Sequence, residues 1–225
     1  MIPLIPETFR NRVEAGQLLA RELMAYANQP DVIVLGLPRG GVPVAAEVAD
    51  ALNAPLDVFV VRKLGTPGQP ELAMGAIATG GVRVINDEVV RGMGIPTDVI
   101  DAVAEAEGRE LRRRELAFRG SYSEPEVRGK TVILIDDGVA TGSTMRAAIR
   151  ALNSQQPARL IVGVPTAAGS TCRELRTEVD EFVALMTPEP FHGVGEWYED
   201  FSQTSDQEVR EILAQAAARF HRTNA

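Results

Sequence analysis

Apolar positions along this chain fall into two alternating rhythms. Short unbroken runs occur at 31–36 (DVIVLG), 56–63 (LDVFVVRK), 131–135 (TVILI), 159–164 (RLIVGV) and 181–186 (EFVALM). Runs of that length and composition suit strands covered on both faces. Spaced stripes lie between them. Phe9, Val13, Leu19, Leu23 and Met24 recur near helical spacing and predict an amphipathic helix over 8–26. Further helices are predicted over 42–52 and 145–153. A charged helix spans 96–119, where Glu105–Arg109, Glu110–Arg114 and Glu115–Arg119 stand four apart with the acid first. That order is the better one for an ion pair on a helix. The run Arg112-Arg113-Arg114 reads as a solvated helix face.

Turn chemistry punctuates the pattern. Segments 72–78 and 82–86 predict a hairpin across Thr79-Gly80-Gly81, and LGTPGQPE at 64–71 predicts a mobile loop. Thr171-x-x-Glu174 and Ser205-x-x-Glu208 read as capping boxes, the second opening a C-terminal helix that runs to about Phe220. Strands alternating with helices predict an α/β fold, a mostly parallel twisted sheet with helices on both faces. The length of 225 residues fits one domain over 1–225. In such sheets ligands gather at the carboxyl ends of the strands, so the strand-to-helix turns carry the chemistry.

Composition narrows the classes. The chain is 45% hydrophobic and 24% charged, which excludes disorder throughout. A net charge of −8 argues against nucleic acid as a partner, because phosphate neutralisation needs clustered Lys and Arg. The single cysteine, Cys172, permits no internal disulfide and points to a reducing, cytoplasmic setting. Two histidines, His192 and His221, exclude a three-His zinc site. Residues 1–17 hold no apolar core of signal-peptide length. The longest uncharged stretch, 160–172, is broken by Gly163, Pro165 and Gly169, whereas a membrane-spanning helix needs about 20 apolar residues.

The most informative segment is VILIDDGVATGST at 132–144. A buried strand delivers Asp136 and Asp137 to its carboxyl end. Gly138, Val139, Ala140, Thr141, Gly142, Ser143 and Thr144 follow, and a helix begins. Small residues let backbone amides approach a ligand, and a helix N-terminus adds unpaired donors and partial positive charge. The result is a phosphate cradle beside two acids, a shape that a ribose 5-phosphate would satisfy. No lysine supplies a Walker A loop, and no G-x-G-x-x-G is present. An aspartyl-phosphate hydrolase would want its acids two apart, and these are adjacent.

Four apolar residues, two acids and G-V-A-T-G-S-T resemble the phosphoribosyl pyrophosphate (PRPP) binding motif of the type I phosphoribosyltransferases. Gly138 departs from the family, which usually carries an aliphatic residue there. Ala140 matches the adenine-type pattern and leaves no aspartate base at that position. The resemblance implies a pyrophosphate loop after the first core strand. GLPRGG fits, with Pro38, Arg39, Gly40 and Gly41 as its ligands and a cis bond at Pro38–Arg39. It also implies a basic pair beside a flexible loop, matched by Arg62 and Lys63 ahead of 64–71. A base-binding hood would follow the last core strand. The aromatic-rich segment 188–201 offers Trp197 or Tyr198 for stacking, within a hood and C-terminal helix over about 187–225. The helix at 96–119 would be a subfamily insertion.

The activity implied is transfer of the ribose 5-phosphate of PRPP to a nitrogen acceptor, a nucleobase, with release of pyrophosphate. Asp136, Asp137, Arg39 and Lys63 would be the catalytic residues. Magnesium would come with PRPP and water rather than from a protein cage. A homodimer is the assembly implied. The acceptor base stays open. A non-catalytic PRPP- or nucleotide-binding regulator is the alternative, and a phosphohydrolase using the acid pair is a third reading. Cys172 with His192 as a nucleophilic pair has only a buried thiol's weak claim.

Overall fold

The computed structural model describes residues 6–120 and 124–223. A five-stranded parallel sheet forms the centre, built from β1 (Val32–Gly36), β2 (Leu56–Val58), β6 (Thr131–Ile135), β7 (Arg159–Thr166) and β8 (Glu181–Met186). Its order is β2-β1-β6-β7-β8. A separate antiparallel sheet holds β3 (Val61–Thr66), β4 (Gln69–Ala78) and β5 (Val82–Ile85). The helices are α1 (Arg12–Glu22), α2 (Gly41–Leu52), α3 (Asp87–Met93), α4 (Thr97–Arg119), α5 (Ser143–Ser154), α6 (Gly169–Leu175) and α7 (Asp206–Thr223).

The apolar runs become strands because both faces of the parallel sheet are covered. Val32, Val34, Ile133, Ile135 and Ile161 pack with Leu19 and Ala20 of α1 and with Val44 and Val48 of α2. Ile33, Leu35, Val132, Leu134 and Val162 pack with Met145, Ile149 and Leu152 of α5. Each such side chain contributes about 1.5–3 kcal/mol when fully buried. A third core joins the small sheet to α4 and α7 through Leu64, Met74, Ile77, Leu111, Phe118 and Val209. No helix among the described residues is long and apolar enough to cross a membrane.

Several expectations need correction. LDVFVVRK is not one strand. The chain leaves the parallel sheet after Val58, passes the buried Phe59 and Val60, and enters the small sheet at Val61. Segment 64–71 is not a mobile loop but the β3–β4 hairpin, with Gly65 paired to Ala73 and Thr66 to Gln69. Thr171 does not cap a helix. It lies inside α6, and its hydroxyl donates to the Ala140 carbonyl at 2.7 Å. The N-terminal helix starts at Arg12, with Asn11 as its cap. The short α3 was not expected from the sequence. By contrast, Ser205 and Glu208 cap α7 reciprocally: Ser205 N–H donates to the Glu208 carboxylate at 2.7 Å, and Glu208 N–H donates to Ser205 Oγ at 3.2 Å. The three acid-first pairs on α4 form at 2.8, 2.9 and 3.2 Å.

Candidate active site

The strand order reverses between β1 and β6, because the chain proceeds from β1 outward to β2 and then back to β6 on the other side. A crevice opens at such a switch point, at the carboxyl ends of the strands. The turn after β1 is Leu37–Gly40, and the turn after β6 holds the acid pair. They are side by side: Leu37 N–H donates to the Ile135 carbonyl at 2.8 Å. A β-carbon on Gly40 would stand 2.0 Å from Asp137 Oδ2, so only glycine lets this turn lie against the acids. The Pro38–Arg39 peptide bond is cis.

Beyond Asp137 the backbone is strapped to the end of β7. Val139 N–H donates to the Thr166 carbonyl and Ala168 N–H donates to the Val139 carbonyl, both at 2.9 Å. Gly142, in the left-handed region with φ +72°, caps α5. Among the described residues, the amides of Thr141, Gly142, Ser143 and Thr144 meet no backbone acceptor. They line a cavity of about 130 Å³ together with Asp136, Gly138, Val139, Ala140 and Met145. Unpaired amides at a helix N-terminus make an anion site. Thr141 and Ser143 hydroxyls lie 3.3 Å apart at its rim.

Asp136 forms one wall of this cradle, and Asp137 stands next to it. Asp136 accepts from the Asp137 amide at 2.9 Å. Burial and the neighbouring Asp137 charge hold the Asp136 carboxyl well above the usual carboxylate range. Burial also raises Asp137, while the Arg12 guanidinium opposes the rise. Arg12 Nε–H donates to Asp137 Oδ2 at 2.8 Å. The Tyr198 hydroxyl donates to the Asp137 carbonyl at 2.6 Å, and burial followed by the Asp137 charge raises its own ionisation.

The remaining predicted residues are spread around the crevice. Arg39 reaches the first turn of α7, 3.6 Å from Asp206. Arg62 is on β3 and turns toward α4, where its Nε–H donates to Glu107 at 2.7 Å. Lys63, its neighbour on β3, faces a cavity of about 370 Å³ also lined by Asn86, Ser143, Arg146 and Arg150. Ser143 borders both cavities, so the cavity that Lys63 lines adjoins the amide-lined cradle, whereas Arg62 lines neither. Trp197 stacks on Phe191 with centroids 6.2 Å apart, and its buried Nε1 finds no acceptor among the described residues. Tyr198 packs on Phe9 and Phe201 at 5.5 and 5.2 Å and is only 6% exposed, so its ring offers a base no open face.

Sequence reasoning missed Phe9 and Arg12. Phe9 N–H donates to the Trp197 carbonyl at 2.9 Å, and Glu199 N–H donates to the Phe9 carbonyl at 2.8 Å. The N-terminal segment thereby straps the 194–201 stretch to the sheet. Neither residue carries a local signal, because the contacts cross most of the chain.

An acid pair beside an amide-lined cradle thus stands at the switch point of a parallel α/β sheet. The phosphoribosyl transferase domain family matches residues 10–189, and the chain belongs to that family. A Mycobacterium tuberculosis protein named as a phosphoribosyl transferase, in strains H37Rv and CDC 1551, is 45% identical over 208 residues. The match covers 92% of this chain and 47% of the mycobacterial one, so the chain spans about half the length of these curated relatives. The crystal structure of TT1426 from Thermus thermophilus is similar at a TM-score of 0.85 with 39% identity, covering 92% of this chain and 98% of that one.

Proposed function

We propose that the chain binds PRPP with magnesium and transfers its ribose 5-phosphate to a nitrogen acceptor, a nucleobase, releasing pyrophosphate. The observation that carries this reading is the placement of Asp136 on the amide-lined cradle and of its neighbour Asp137 against the Gly40 turn. A phosphate in the cradle leaves the attached ribose hydroxyls beside the carboxylates, and the anomeric carbon turned toward the crevice between them and Arg39.

The acceptor nitrogen forms a bond to the anomeric carbon as the bond to pyrophosphate breaks. The acceptor's proton passes to solvent, since Ala140 supplies no base. Positive charge grows on the ribose ring as the leaving group departs. Asp136 and Asp137 hold the hydroxyls and favour that charge. Arg39, with its fork of donors, and Lys63 bind the departing pyrophosphate. Among the described residues no three His, Cys, Asp or Glu side chains gather to hold a metal. The donor set at the site, two adjacent carboxylates with one already bonded to Arg12, fits magnesium arriving on ligand oxygens and water. That ion would neutralise pyrophosphate charge. The Gly138-to-Thr144 loop fixes the 5-phosphate, and Pro38, Gly40 and Gly41 complete the pyrophosphate side, while Arg62, bonded to Glu107, stands outside it. Trp197 belongs to the acceptor side. A homodimer belongs to the same proposal and is checked by light scattering.

Calorimetric titration of PRPP with Mg²⁺ tests the reading, with the Asp136→Asn/Asp137→Asn double variant alongside. Saturable binding that the variant loses supports it, and a panel of nucleobases scored by pyrophosphate release then names the acceptor. Absence of binding in the wild type overturns it. Binding without pyrophosphate release across the panel moves the reading to a non-catalytic PRPP-binding protein.

A further inference from the structure

Arg12 touches three things at once. Its Nε–H donates to Asp137 Oδ2 at 2.8 Å, its Nη1 donates to the Ser202 carbonyl at 2.8 Å, and its guanidinium carbon lies 4.0 Å from the centroid of the Phe201 ring. The side chain is 12% exposed, so the pair with Asp137 is shielded from solvent. Exposed pairs contribute little, whereas a shielded one bonded on several sides holds its geometry. The first contact is with the acid next to the one that lines the cradle, and the other two are with the segment that ends the aromatic stretch. We propose that Arg12 is a positioning residue that links occupancy of the acid pair to the placement of residues 194–202. The proposal rests on the ribose-phosphate reading of the site.

The physical basis is the shape of the two groups. An ionised carboxylate offers about four acceptor positions, and Arg12 uses one on Oδ2. A ribose hydroxyl donating to Asp137 draws on the same negative charge and displaces the guanidinium toward a new balance. Arginine is planar and rigid at its head, so a shift at Nε is carried to Nη1 and to the stacked face. Ser202 and Phe201 feel it directly. Phe201 in turn packs on Tyr198, whose hydroxyl returns to the Asp137 carbonyl. The loop of contacts closes on the acid where it began. Inorganic phosphate fills the cradle but brings no hydroxyl substituents of a sugar to Asp137, so it leaves Arg12 in place.

The chain's single tryptophan, Trp197, lies inside the responding segment and reports on it. Ribose 5-phosphate and inorganic phosphate are titrated into the intact protein, with uptake followed by calorimetry and placement of the segment by Trp197 emission. The wild type is expected to change emission with ribose 5-phosphate and not with phosphate. Arg12→Gln is expected to take up ribose 5-phosphate and lose most of that emission change, and Arg12→Lys to restore part of it. Phe201→Ala removes the stacked face while leaving the Asp137 pair, and is expected to bind and lose the change as well. It decides the question should Arg12→Gln fail to fold. A full emission change in either bound variant, or an equal change with phosphate alone, overturns the proposal. No heat from ribose 5-phosphate or PRPP–Mg²⁺ in the wild type overturns the ribose-phosphate reading and this proposal with it. Binding with an unaltered variant response overturns only the role of Arg12.

Discussion

Val194 rests on Gly138 so closely that a β-carbon there would lie 2.4 Å from Val194 Cγ1 and 3.0 Å from Thr166 Cγ2. The space that a side chain at 138 would take is therefore filled by Val194, a contact from a distant segment. Gly138→Val should overpack the site, at about 1–3 kcal/mol of stability. Gly138→Val/Val194→Gly should recover most of that loss, because the two positions share one volume. Urea denaturation followed by Trp197 fluorescence checks both. Additive losses in the double variant would refute the shared volume.

The raised Asp136 predicts a pH dependence of stability. Its folded value lies above that of the unfolded chain, so the native state keeps a proton that the unfolded state has released. Stability is fully present below the unfolded value of about 3.9 and is lost as pH rises through the folded one. Asp136→Asn carries no charge to lose and can still accept from the Asp137 amide. The variant should melt above the wild type at pH 7, with the gap closing toward pH 4. Each kcal/mol is worth about 2–4 °C in a chain of this size. Parallel melting curves across that pH range would contradict the assignment.

Arg119 is 4% exposed at its side chain and joins α4 to the edge of the main sheet. Its Nε–H donates to Asp57 at 2.7 Å, and a second nitrogen donates to the Val58 carbonyl. Burial raises Asp57 and Arg119 opposes that rise. Arg119→Met should destabilise by about 3 kcal/mol, since it leaves the half-buried Asp57 with only the Val58 amide as its partner. Arg119→Met/Asp57→Leu should be far milder. Chemical denaturation of the set checks this, and a small loss in the single variant would show the pair to be dispensable.

Asp137→Asn should lower turnover by on the order of 10²–10³, the range for loss of one electrostatic stabiliser. Pyrophosphate release under saturating PRPP, with whichever base the panel identifies, measures it. Near-wild-type turnover would remove the acid from the chemistry.

Much of this architecture was legible in the chain. TVILI becomes β6 residue for residue, and the acid pair and small-residue cradle follow as read. These features are local: a run of apolar residues, the stereochemistry of small residues and a helix start all act within a few positions. The break after Val58 was not legible. Phe59 and Val60 are as apolar as their neighbours, and leaving one sheet for another is decided by what lies on either side. Thr171 misled for a similar reason. α6 begins two positions earlier, at Gly169, so Thr171 stands inside the helix, where its hydroxyl donates to the Ala140 carbonyl 31 positions away.

The sequence by itself determined the strands and helices of the main sheet save the end of β2, the α/β class and the small-residue turn with its two acids, because backbone donors and side-chain periodicity are set by near neighbours. Only the tertiary structure decided what meets those acids. The strand order brings the Gly40 turn against Asp137, and packing of α1 and the 194–202 segment brings Arg12, Val194 and Tyr198 to the same place. Contacts across 125 and 61 positions leave no mark in local pattern. They exist because burying the apolar faces of the sheet forces those segments together.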